Sequence, residues 1–158
     1  MKTNWPTKKL RVPMKNHMNS DDPVNILHKY FIWANRMRTH FDDILEKHGK
    51  RKIDEHSFGI ESMMYMSLWY GLLYVVIEGW KTLKLNNSII DSLLKSPNTD
   101  LLNRYRNAVF HFPKIHKYLD QRFENFYKEK TTVEWVRKLN LEFGRYFLQY
   151  FRVKTNEN

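Results

Sequence analysis

Apolar side chains recur every three or four positions along most of this chain, which is the period of an amphipathic helix. No stretch alternates apolar and polar residues as a strand does, and no internal repeat is present. The helices predicted from this pattern cover residues 23–47, 57–83, 88–95, 100–112, 115–128 and 131–151. The sequence therefore predicts an all-α fold, an antiparallel helical bundle of about five helices.

Short polar motifs predict where three of these helices begin. The stretch from Ser20 to Pro23 places a capping side chain before a proline in the first helical turn. Ser88 with Asp91, and Thr131 with Glu134, have the spacing of capping boxes. Both of these capping boxes pair a hydroxyl at the first position with a carboxylate three residues later.

The most apolar run covers residues 62–77 and contains no charge between Glu61 and Glu78. A membrane-spanning helix needs about 20 apolar residues, and this run includes serine, glycine and several tyrosines. We therefore predict a central helix, buried against other helices or a second subunit, and no membrane partner.

Charge and proline divide the chain into an arm, a domain and a tail. Its 158 residues are enough for one domain, predicted over 21–153 and followed by a tail at 154–158. The formal net charge is +10. Residues 1–20 form a predicted irregular arm with five basic residues and no acid before Ser20: Lys2, Lys8, Lys9, Arg11 and Lys15. Such an arm is either a solvated tail or a segment that binds nucleic acid through its phosphates.

Composition excludes several classes of site. The chain has no cysteine, so disulfides and thiolate metal sites are ruled out. It lacks a His-Glu-x-x-His motif, a glycine-rich phosphate loop and a Gly-x-Ser-x-Gly elbow. The N-terminus has no apolar signal-peptide core. We therefore predict a cytoplasmic protein that uses neither a metal nor a cofactor.

The stretch RYRNAVFHF, from Arg104 to Phe112, is the remaining candidate for chemistry. Cleavage of RNA without a metal uses the neighbouring 2′-hydroxyl as nucleophile. It needs a histidine to move protons and an arginine to stabilise charge on the phosphate. An Arg followed by His after four to six residues is weak evidence, because about one match is expected by chance. Of the four matches in this chain, only those ending at His111 lie on a predicted helix among large apolar residues.

Helical geometry predicts how these side chains are arranged. At about 100° per residue, Arg104 lies roughly 20° from His111 on the helical wheel, and Asn107 roughly 40°. Arg106 lies roughly 140° from His111, so the two converge only through the long arginine side chain or a partner helix. The alternative is an exposed basic helix end with His111 hydrogen-bonded in the core.

The segment Arg106-Asn-Ala-Val-Phe-His111 resembles the signature of the HEPN superfamily, whose all-α domains include many metal-independent RNases. The family motif is an Arg, four to six residues and a His, with a polar residue commonly after the Arg. The resemblance implies that Arg106 and His111 are catalytic, that Asn107 supports them and that Arg104 binds RNA phosphate. It also implies a homodimer in which both motifs line one cleft.

Two further expectations follow from the resemblance. HEPN domains often place an acidic residue on an earlier helix near the site, and Glu78 is the candidate, with an ordinary helix-end carboxylate as the alternative. One subgroup carries a tyrosine two residues after the His, which a partner antitoxin modifies. Here that position is Pro113, which argues against this mode of control.

The function predicted from the resemblance is a metal-independent endoribonuclease, acting as a toxin or an antiphage defence effector. Its predicted partners are RNA, contacted by Arg104, Lys8, Lys9 and Arg11, and an antitoxin or other regulatory protein. The alternative function is a non-catalytic HEPN-like module that binds nucleotide or RNA, or assembles with a partner.

Overall fold

A computed structural model describes residues 22–50, 53–111 and 130–156. This part of the chain contains five helices and no strand, which confirms the predicted all-α class. The helices are α1 (Pro23–Gly49), α2 (Glu55–Thr82), α3 (Ser88–Leu94), α4 (Asn98–Phe110) and α5 (Lys130–Asn156). The basic arm and the helix predicted over 115–128 lie outside the described residues.

The helix starts show which capping predictions were right. Asp22 caps α1, because its carboxylate accepts the backbone N–H of Val24 at 2.9 Å. The predicted cap Ser88 is wrong by one residue. Asn87 caps α3 instead, and its amide oxygen accepts the N–H groups of Ile89 and Ile90, each at 3.1 Å. Thr131 is likewise not a cap, since it is already inside α5.

Helices α1 and α2 pack against each other in antiparallel orientation. Leu27, early in α1, contacts Gly79, late in α2, at a point where a β-carbon on the glycine would collide with the leucine. Phe41, later in α1, packs on the ring of Trp69, earlier in α2. Gly79 therefore lets the two helices approach closely.

Helix α5 closes the core with aromatic side chains. The rings of Phe143 and Phe147 contact Phe31 of α1, and Phe143 also contacts Trp80 of α2. The largest fully buried side chains of this core are Trp69, Trp80, Tyr70, Tyr105, Phe143, Phe147, Leu73, Ile77, Ile90, Leu102 and Leu139. Burial of so many large rings is a major source of stability, because each removes a large apolar area from water.

Three tryptophans of this core each donate their indole N–H to a partner on another helix. Trp69 donates to the side chain of Asn140 at 2.9 Å, and Trp80 donates to that of Asp91 at 3.0 Å. Trp135 donates to the backbone carbonyl of Leu93 at 3.0 Å. These bonds satisfy buried donors and tie α2 and α5 to each other and to the short helix α3.

The apolar helix α2 is long and apolar enough to cross a membrane, judged by length and composition alone. Half of its apolar stretch is buried within the bundle. Core helices of soluble proteins are often as long and as apolar, so this single helix is weak evidence for a membrane span. Burial is concentrated from Met66 to Ile77, whereas Met63 and Met64 are exposed.

The two ends of the described chain meet at Asp22. Its carboxylate accepts hydrogen bonds from Lys154 at 2.6 Å and from Tyr150 at 3.0 Å. The helix continues to Asn156, so the predicted tail from 154 onwards begins as helix. The hydrogen bond from Lys154 lowers the pKa of Asp22, and those from Val24 and Tyr150 add to this effect, although burial opposes it. The same ion pair raises the pKa of Lys154.

We expect this cluster to stabilise the fold only while both members of the ion pair are charged. The lowered pKa of Asp22 means that its contribution is present above the ordinary pKa of an aspartate and is lost as the pH falls through the folded value. The raised pKa of Lys154 means that its contribution is lost only as the pH rises past the ordinary lysine range. Asp22→Asn should therefore lower the unfolding free energy at neutral pH and reduce its loss on acidification, measured by urea unfolding. Equal pH profiles for the two proteins would contradict this.

Candidate functional site

Helix α4 carries most of the predicted site and packs on α2 through its apolar face. Leu102 and Tyr105 are buried there, and the Tyr105 hydroxyl lies 3.0 Å from the hydroxyl of Ser67 on α2. The Tyr105 ring also packs edge-on against Tyr70. This docking fixes the rotation of α4, so Arg106, which follows Tyr105, is held at the border between α4 and α2.

Arg106 is held at that border by two neighbours. Its guanidinium donates to the side-chain oxygen of Asn107 at 2.9 Å and lies 3.5 Å from the carboxylate of Glu78 on α2. Asn107 in turn donates to the side chain of Asn103 at 3.3 Å. The structure thus brings together three of the predicted residues, Arg106, Asn107 and Glu78, from two helices.

Tyr74 lies beside this cluster and is largely buried. Burial raises the pKa of its phenol, and the negative charges of Glu78 and Asp100 raise it further, while Arg106 opposes the shift. Tyr74 therefore remains a neutral hydroxyl at physiological pH. It is a polar neighbour of the cluster that the sequence patterns did not single out, because it lies within the apolar run.

The structure corrects the predicted setting of His111. The helix ends at Phe110 rather than Phe112, and His111 is its C-cap with extended backbone angles, φ −122° and ψ 124°. Its backbone N–H donates to the carbonyl of Asn107 at 3.1 Å. Because His111 has left the helix, the predicted wheel angles to Arg104 and Arg106 no longer describe its direction.

His111 and Arg104 are both exposed. Neither side chain makes a hydrogen bond or an ion pair with another described residue, and no such bond joins His111 to Arg106. The alternative in which His111 is hydrogen-bonded in the core is therefore wrong. The predicted RNA contacts Lys8, Lys9 and Arg11 lie outside the described residues.

Gly71 on α2 contacts Phe110, the residue that precedes His111. The ring of Phe110 lies against Gly71, so that a β-carbon there would collide with Phe110 Cε2 and lie 2.8 Å from Cζ. Gly71 thus leaves room for the ring of Phe110, the last residue of α4. This contact fixes the point at which the chain leaves the helix and continues to His111. The position of Gly71 in an apolar helix was the only sequence signal for this role.

Within the described residues, no group of three or more histidine, aspartate or glutamate side chains is placed to hold a metal ion. No protein-family model, curated protein or solved structure matches the chain.

Proposed function

We propose that this protein is a HEPN-type, metal-independent endoribonuclease that acts in the cytoplasm as a homodimer, as a toxin or an antiphage defence effector. The observation that supports this most is the seating of Arg106 between Asn107 and Glu78, with an exposed His111 at the end of the same helix. The arginine and the histidine of the motif are thus both accessible in the C-terminal part of α4.

The geometry suits Arg106 for binding phosphate. Its side chain keeps about a quarter of its surface exposed, at 27%, and the contact with Glu78 is long, at 3.5 Å. A guanidinium has five N–H donors, and only two contacts occupy it among the described residues. The remaining donors are available for the oxygens of a scissile phosphate, whose charge grows during cleavage.

His111 supplies the proton transfers. As a base it takes the proton of the 2′-hydroxyl while that oxygen bonds to phosphorus, and the bond from phosphorus to the 5′-oxygen breaks. The leaving 5′-oxygen then receives a proton, which the equivalent histidine of a second copy would supply in a shared cleft. The products are a 2′,3′-cyclic phosphate and a 5′-hydroxyl.

The test is cleavage of RNA by the purified full chain in the presence of EDTA. We expect cleavage at an undiminished rate, since neither residue needs a metal, and a cyclic phosphate on the upstream product. Product ends are read by treating the fragments with acid and a phosphatase before mass spectrometry. Cleavage that disappears in EDTA, or that leaves a 5′-phosphate, would contradict the proposal.

A second candidate function is a binding module without turnover. The observation that favours it is that the exposed His111 ring makes no hydrogen bond to the Arg106 cluster within the described part of the chain. Such a module would bind RNA in a salt-dependent manner and give no products from any RNA tested.

A further inference from the structure

A second basic site lies in a groove between α1 and α5. This α1–α5 groove has a volume of about 510 Å³. Three arginines line it, Arg38 from α1 and Arg137 and Arg145 from α5. None of these residues belongs to the site on α4.

A buried network fixes the position of the first two arginines. Asn140 is buried, accepts the indole N–H of Trp69 and donates to the side-chain oxygen of Asn35 at 3.0 Å. The same oxygen of Asn35 accepts from Nε of Arg38 at 3.0 Å. The guanidinium of Arg137 lies 5.5 Å from the centre of the Trp69 ring. These arginines are therefore held in place before any ligand arrives, which reduces the entropy lost on binding.

The acidic residues at the groove do not neutralise its arginines. Arg38 and Arg137 share one carboxylate, that of Asp42, each at 2.6 Å. Arg145 pairs with Glu142 at 2.6 Å and keeps 64% of its side chain exposed. Three guanidiniums thus face two carboxylates, and each guanidinium keeps N–H donors that no described residue accepts. The groove is suited to an anion with several acceptor oxygens.

Exposed leucines give the groove an apolar floor. Leu141 and Leu148 line it, and they are 52% and 55% exposed. With their neighbours they form a stripe on α5 that spans roughly 80° of the helical wheel. The residues of this stripe, all exposed, are Lys138, Leu141, Arg145, Leu148 and Arg152. Basic and apolar side chains therefore alternate along one face, as is suited to a ligand with both phosphates and flat apolar rings.

The charges argue against a second copy of the chain as the occupant. Two-fold packing through this stripe would bring Lys138, Arg145 and Arg152 of one copy against the same set of basic residues of the other, and like charges that face each other are destabilising. Double-stranded RNA does not suit the floor either, because its bases are paired and stacked. A single strand offers its bases to apolar and guanidinium surfaces.

We propose that the α1–α5 groove binds single-stranded RNA, with phosphates on Arg38, Arg137 and Arg145 and bases on the exposed leucines. The choice of RNA over other polyanions rests on the proposed function, whereas the binding itself needs no turnover. The groove would hold a substrate strand through residues separate from those of the site on α4.

The test measures binding of a short fluorescent 2′-O-methyl oligouridine by anisotropy. This RNA lacks the free 2′-hydroxyl, so binding is separated from cleavage and the two proposals can fail independently. We expect Leu148→Glu, which places a carboxylate on the floor, to raise the Kd about tenfold. The matched control is Ile60→Glu, which makes the same charge change at a site 58% exposed on α2 and should alter the Kd less than twofold.

A double variant that leaves the net charge of the protein unchanged tests the contribution of Arg145. Replacing both Glu142 and Arg145 with Gln removes one ion pair and leaves the net charge unchanged. We expect the dependence of log K on log salt to become less steep by about 0.7, the value for one lost phosphate contact on a single strand. Circular dichroism checks that each variant is folded. Equal weakening by Leu148→Glu and Ile60→Glu, an unchanged salt slope, or binding to anionic vesicles without binding to the RNA would overturn the proposal.

Discussion

His111→Ala is expected to lower the rate of RNA cleavage by about a thousandfold, within the range that general acid–base catalysis contributes. The side chain is exposed at the end of α4 and makes no hydrogen bond or ion pair with the other described residues. Its removal should therefore leave the unfolding free energy within about 0.5 kcal/mol of wild type, as for other surface substitutions. Cleavage is measured on a labelled RNA in EDTA, and stability by urea unfolding.

The matched control for this variant is His56→Ala. His56 is also exposed and also follows an arginine, Arg51, at the spacing of the motif. It lies at the start of α2, away from the cluster of Arg106, Asn107 and Glu78. Its replacement should leave the rate unchanged. A rate that survives in His111→Ala, or that falls equally in both variants, would sink the catalytic assignment.

Replacing Arg106 is expected to affect RNA binding as well as the rate of cleavage. Arg106→Lys keeps the positive charge but loses the planar fork that can bind Asn107 and a phosphate together. We therefore expect the lysine variant to be slow as well, and to retain RNA binding better than Arg106→Ala.

Local signals predicted the helices well because they depend on a few neighbouring residues. Asp22 before Pro23 is such a signal, and the carboxylate caps α1 as predicted. The start of α3 shows where local signals stop being sufficient. Both Asn87 and Ser88 are good capping residues. Asn87 is the residue that caps the helix. The backbone N–H of Asn87 donates to one carboxylate oxygen of Asp91 at 3.0 Å, and the indole N–H of Trp80 donates to the other oxygen. The bond from Trp80 is a tertiary contact, and no spacing rule contains it.

The candidate site was predictable in part for the same reason. Arg106 and Asn107 are neighbours in sequence, and their contact is local. The contact between Arg106 and Glu78 joins residues far apart in the chain, and only the family resemblance pointed to it. The sequence also indicated that α4 ends near Pro113, although it placed the last residue at Phe112 and not at Phe110. Pro113 lacks an N–H, and its ring would clash with the carbonyl of residue 109 in a continuing helix.

The contact between Phe110 and Gly71 could not be predicted from either sequence segment, because it forms only where α4 packs against α2. It leads to the second large expected effect. Gly71→Ala should lower RNA cleavage by about a hundredfold, since the new β-carbon collides with the Phe110 ring. Phe110 immediately precedes His111, and a displacement of about 1 Å at a reacting group can cost that much.

The stability of Gly71→Ala should change little by comparison. Alanine in place of glycine favours the helix by about 1 kcal/mol, and the half-exposed Phe110 can shift outward together with the end of α4, which loses some of its packing. Gly59→Ala is the control, because a β-carbon there has nothing within 4 Å. We expect that variant to be more stable than wild type and to cleave RNA at the same rate.

A double-mutant cycle then isolates the contact between Gly71 and Phe110. Phe110→Ala removes the ring with which the new β-carbon collides, so adding Gly71→Ala to that variant should change the cleavage rate no further. Independent, additive effects of the two substitutions would show that Gly71 acts on the site by another route. An unchanged rate in Gly71→Ala alone would mean that the position of Phe110 does not control that of His111.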